Sequence, residues 1–170
     1  GTSSDLDQLA DWLSAAEIPV VIDALDGLAS HSEEKITSTL RVALKKLLEK
    51  ADVGVTSQIS GLVEQHRWTD FAPILTTIYQ FFTAPDTIEG KVAILNALST
   101  AGDSSSLEVI KLGLKDKDRL VVVAAVKAMK AVTGKDESAL IPINSSYAVN
   151  VPTQAALQAA SGARIAFKTN

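Results

Sequence analysis

Few residues in this chain are of a type and spacing that could carry chemistry. Its two histidines, His31 and His66, stand far apart, and no set of metal ligands gathers round either. A metal ion or a general base needs such neighbours to fix the imidazole, so both histidines are expected to be structural or solvated. Cysteine is absent, which removes thiolate zinc sites, disulfides and cysteine nucleophiles. Ser104-Ser105-Ser106 reads as a cap cluster at a helix start, and a serine without an adjacent base is not activated. Gly102-Asp103-Ser104 and Gly134-Lys135-Asp136 lack the glycine count and spacing of a phosphate loop and read as helix stops. Asp5, Asp7, Asp11, Glu17, Asp23 and Asp26 fall on polar helix faces, without the burial or crowding that moves a carboxyl into catalytic range. No catalytic, metal-binding or cofactor-binding residue is expected, and no cofactor.

Binding chemistry is better represented. Arg67-Trp68 stands at an expected helix junction beside His66, and tryptophan and arginine are the types most enriched where interfaces are strongest. A basic helix upstream carries Lys35, Arg41, Lys45, Lys46 and Lys50. Arg67, Trp68, Arg41 and Lys45 therefore form the candidate protein-binding set. The competing expectation is that the basic side chains are a solvated face and that Trp68 packs the junction.

The net charge of −4 hides an asymmetry: residues 1–34 hold eight acidic residues and no lysine or arginine, while the rest hold 12 acidic and 16 basic. Opposite poles of this kind orient a module against a partner. Nucleic acid is not an expected partner, since Glu49, Asp52, Glu108, Asp116 and Asp118 interrupt the lysines and phosphate contacts need clustered cations. A membrane is not expected either: no apolar run approaches the ~20 residues of a spanning helix, and the basic helix has no Trp or Phe on its apolar face. The opening Gly1-Thr2-Ser3-Ser4 carries no leader pattern, and a glycine start is expected of a segment taken from a longer chain, so the compartment stays open.

The elements that must position these residues are helices. At 170 residues, 46% apolar and 21% charged, the chain can bury a core and is no disordered tail. Apolar residues at the 3.6-residue period, with breaks at proline and glycine, predict eight helices. They cover about residues 5–15, 18–29, 33–51, 57–66, 70–83, 87–100, 105–114 and 119–132. Ser4 and Thr69 are expected caps, Ser30 with Glu33 has capping-box spacing, and Asp52-Val53-Gly54 is an expected stop. The stripe Ile36, Leu40, Ala43, Leu44, Leu47 and Leu48 is expected core. Residues 1–137 form the expected helical domain. Residues 138–170 form a less regular capping segment, with extended stretches at 141–144 and 150–152, a short helix over 153–160 and a strand over 164–167.

One internal similarity stands out. A shift of 31 residues lays Val92, Ala93, Leu95, Ala97, Leu98 and Ala101 on Val123, Ala124, Val126, Ala128, Met129 and Val132. Every pair stays apolar, and Asn96 falls on Lys127. A period of this size marks stacked helix pairs, none of which can bury its face alone. Residues 87–136, with alanine and leucine at close-packing positions, the Gly102-Asp103 turn and the charged break Lys115-Asp116-Lys117-Asp118, resemble HEAT-like repeats of the short form. The resemblance implies an all-α fold, an α-solenoid of antiparallel helix pairs wound as a right-handed superhelix, used as a scaffold with ligands on the concave face. The alternative fold is a nonrepeating helical bundle. The function expected is a noncatalytic protein–protein interaction module, with the rest of a longer parent chain among the possible partners. Two other classes compete: a lipid or small-molecule carrier on the same scaffold, and a HEAT-like enzyme of nucleic-acid repair or pigment attachment.

Overall fold

The structure is a computed structural model and describes residues 3–30, 36 and 38–142. Among these residues there are eight α-helices and no strand: α1 Ser3–Ala15, α2 Ile18–Leu28, α3 Ser38–Leu48, α4 Val53–His66, α5 Ala72–Tyr79, α6 Ile88–Ala101, α7 Leu107–Leu114 and α8 Arg119–Thr133. Short 3-10 turns over Thr69–Phe71, Pro85–Thr87 and Ser104–Ser106 lead into α5, α6 and α7, and a fourth, Ser138–Leu140, follows α8.

Contacts follow a skip-one order. The even helices touch in series, α2 on α4, α4 on α6 and α6 on α8, while α1 lies on α3 and α3 on α5. The two rows meet through α3 on α4, α5 on α6 and α7 on α8. Polar bonds fix the sense of the even row. Gln65 Nε2 near the end of α4 donates to the Ala29 carbonyl just past α2 (3.1 Å), and Thr100 Oγ1 near the end of α6 donates to the Glu64 carbonyl (3.2 Å). The C-terminal ends of α2, α4 and α6 therefore lie side by side, and the three helices run in the same direction.

Apolar periodicity explains which faces close the core. Leu40, Ala43, Leu44, Leu47 and Leu48 of α3 are buried, as the stripe predicts, and so are Ile94, Leu95, Ala97 and Leu98 of α6 and Val121, Ala125, Ala128 and Met129 of α8. The 31-residue shift carries Leu95, Ala97 and Leu98 onto Val126, Ala128 and Met129, all buried in both helices. Side chains along these helices set contact distance, and small ones allow close approach. At Gly113 in α7 an added Cβ would lie 2.8 Å from Ala125 Cβ and 2.9 Å from Leu95 Cδ1, so α7 sits directly on both even helices.

Several expected boundaries move. Asp52-Val53-Gly54 does not end α3; it begins α4, with Asp52 Oδ1 accepting from the Val55 N–H (2.9 Å). The stop of α3 is a tightened turn in which the N–H groups of Glu49, Lys50 and Ala51 each bond three residues back, with Ala51 at φ 50°. Thr69 is not a helix cap but the first residue of a 3-10 turn, and α5 ends at Tyr79 instead of Thr83. There the N–H groups of Gln80, Phe81 and Phe82 switch to bonds three residues back. That twist turns Phe82 into the core and leaves Phe81 65% exposed. Ser4 lies within α1. Glu33, the rest of 143–170 with its short helix, strand and capping role, and His31 lie outside the described residues.

Candidate functional site

Three of the four residues singled out for binding, Arg41, Lys45 and Trp68, come together, though not as an open surface. Trp68 is only 2% exposed, so its indole packs the helix junction, the second of its two expected roles, and offers little area to a partner. Its ring stacks with His66 (centroids 5.1 Å apart) and with Phe71 (5.3 Å). From α3 the Arg41 guanidinium lies over the Trp68 ring at 4.9 Å and the Lys45 ammonium over Phe71 at 5.0 Å. Asp70 closes the cluster, accepting from Arg41 and, at 2.6 Å, from Lys45.

Positions on successive turns of α3 place both cations on one side, and the 3-10 turn presents Asp70 opposite them. Partial burial pushes the Asp70 carboxyl up, but the Lys45 hydrogen bond and the Arg41 and Lys45 charges outweigh it and hold its pKa below the ordinary value. Each exposed cation–π contact is worth about 0.5–1 kcal/mol and each exposed ion pair about 0–1 kcal/mol. The cluster therefore clamps α3 to the α4–α5 junction. Arg67 serves through its backbone: at φ 55° it ends α4, and its N–H bonds the Val63 carbonyl. Its side chain is exposed.

A different place has the shape of a site. The turn after α5, residues 80–87, and the turn between α7 and α8, residues 115–118, flank an open groove of about 950 Å³. It lies where α6 and α8 begin, away from the C-terminal ends joined by Gln65 and Thr100. Tyr79, Phe82, Pro85, Ile88 and Leu112 give it apolar walls, and Lys91 and Asp116 meet within it at 2.8 Å. Gly90 brings the Phe82 ring in, since a Cβ there would lie 2.6 Å from it.

The electrostatics of the groove are well defined. Lys91 and Asp116 are 16% and 15% exposed. Burial raises the Asp116 carboxyl, but the Lys91 hydrogen bond, the Asp118 N–H and the Lys91 charge together hold its pKa below the ordinary value. Burial and then the Asp116 charge push the Tyr79 hydroxyl well above its usual pKa, so it stays a donor. That hydroxyl is buried with no hydrogen-bond partner. Asp118 is committed to capping α8 through the Leu120 and Val121 N–H groups. Lys115 and Lys117 stand exposed on the groove's rim, without an ion-pair partner among the described residues.

No family model matches the chain, and no curated protein or solved structure matches it significantly.

What the groove can do follows from its groups. A tyrosine with a raised pKa is a hydrogen-bond donor, and Asp116 is an ionised carboxylate neutralised by Lys91. Among the described residues no three His, Asp or Glu side chains converge as a metal's ligands, and no helix is long and apolar enough to cross a membrane. Sequence reasoning missed Tyr79, Lys91 and Asp116. Lys115-Asp116-Lys117-Asp118 reads as a charged break, and nothing in a linear chain marks Asp116 as the partner of a lysine 25 residues upstream.

Proposed function

We propose that the chain is a noncatalytic α-solenoid module that binds a protein partner along the groove between residues 80–87 and 115–118. The observation that carries this reading is the groove itself: apolar walls, a polar base and two exposed rim lysines, set between two neighbouring turns. Mixed linings of this kind suit a ligand held by apolar contact and oriented by a few polar groups.

The skip-one contacts and the common direction of α2, α4 and α6 support stacked helix pairs. The HEAT-like resemblance of residues 87–136 belongs to the same reading, since α6 and α8 are neighbours in one row. Stacks of this type present successive turns along one edge, which is where the groove lies. An acyl chain suits the groove poorly, because it would cover the Lys91–Asp116 pair without replacing its remaining contact with water.

Selection of random 12-residue peptides displayed on phage tests the reading, with the Leu112→Arg variant used for counter-selection. Leu112 is 53% exposed on the wall, so the substitution blocks the groove at little structural cost. Peptides that bind the native chain and lose at least 10-fold in affinity to the variant are expected. No enrichment, or equal binding to both proteins, would defeat the proposal.

A further inference from the structure

The groove's charge distribution specifies the partner further, on the reading that it binds protein. We infer that it takes a short extended peptide in which acidic side chains flank an apolar one. The apolar residue rests against Ile88 and Leu112, and the acidic ones meet Lys115 and Lys117.

Charge complementarity is the support. Three charges at the groove are already engaged: Lys91 and Asp116 neutralise each other, Asp118 caps α8, and Asp116 also accepts from the Asp118 N–H. Lys115 and Lys117 remain. They stand two residues apart on one turn at the rim, both exposed and both without an ion-pair partner among the described residues. The two lysines therefore leave the rim net positive beside an apolar wall, with the Lys115 charge also acting on Glu108.

The same details argue against a polyanion. Phosphate backbones are held by rows of cations, and two rim lysines beside an apolar wall do not make such a row. A peptide places its charges several ångströms apart on side chains, with apolar groups between them, as this rim and wall require.

Fluorescence anisotropy with labelled 12-residue peptides tests the inference on the full chain. One peptide carries Asp and Glu around a central Leu-Val, a second replaces the acids with Lys, a third replaces Leu-Val with Ser, and a single-stranded 12-nucleotide DNA is the fourth probe. Only the first is expected to bind, and more weakly as salt is raised. Lys115→Glu with Lys117→Glu is expected to weaken it at least 10-fold with the melting temperature unchanged, and to confer binding of the Lys-bearing peptide. Lys115 ends α7, so Lys117→Glu alone, off the helix, is the second variant, with a loss of at least 3-fold expected. Equal binding of the Lys-bearing peptide or of the DNA by the native chain would overturn the inference, as would binding that ignores both variants. Phage-selected peptides that need Leu112 yet carry no acids would also overturn it, while leaving the groove as a protein-binding site.

Discussion

Lys91 Nζ lies 2.8 Å from Asp116 Oδ2, joining the first turn of α6 to the turn between α7 and α8. Both side chains are mostly buried, so the pair is shielded more than a surface ion pair, and each partner would be costly to leave alone. Lys91→Met strands the Asp116 carboxylate and is expected to destabilise the chain by about 1–3 kcal/mol. Asp116→Asn should cost less, because an amide tolerates burial. Urea unfolding of both singles and the double gives the coupling; additive effects would mean that the two groups do not support each other.

Acid should loosen the same contacts. Asp70 and Asp116 both have folded pKa values held below the ordinary carboxylate value of 3.8. In the window between the folded values and 3.8 the unfolded chain binds more protons, so stability rises with pH there. Their contribution is complete above about pH 5 and is lost as pH falls through the folded values. Urea midpoints measured down to about pH 3 should fall, and Asp70→Asn with Asp116→Asn should flatten that fall. An unchanged slope in the double variant would show that other carboxyls govern acid unfolding.

Tyr79→Phe removes a buried hydroxyl that has no partner. An unsatisfied buried polar group carries its full desolvation cost, so the variant is expected to gain about 1 kcal/mol in stability. A loss of stability in thermal unfolding would reveal a hydrogen bond that the hydroxyl makes.

Arg67 holds φ 55° at the end of α4, a conformation that costs an L-residue about 1 kcal/mol and glycine almost nothing. Arg67→Gly should therefore stabilise the chain by roughly 0.5–1 kcal/mol. By contrast, Trp68→Ala removes a 2%-exposed ring stacked on two neighbours and should cost about 3–5 kcal/mol. Both values come from chemical unfolding, and a Trp68→Ala cost below about 1 kcal/mol would show that the cluster is no clamp.

Gly90→Ala places a methyl against the Phe82 ring. Overpacking of this kind costs about 1–3 kcal/mol, and adding Phe82→Leu should recover part of it by opening space. If the double variant is less stable than the sum of the singles, Phe82 does not bear on Gly90.

The all-helical character was legible in the linear chain. The α3 stripe from Leu40 to Leu48, the Gly134 stop and the 31-residue pairing of α6 with α8 all follow from apolar period and glycine chemistry, which are local properties. Boundaries were less legible where tertiary contact overrode them: Ile22 of α2 lies so close to Gly54 that a Cβ would meet its Cδ1 at 2.6 Å, so the glycine that reads as a stop instead lets α2 pack against the first turn of α4. Trp68 shows the same limit, because its neighbours decide whether a large aromatic is anchor or filling. The groove was invisible from sequence for a stronger reason. Tyr79, Lys91 and Asp116 belong to separate helices and turns, and only the stacking of α5, α6 and α7 against one another brings a donor, a cation and a carboxylate to one place.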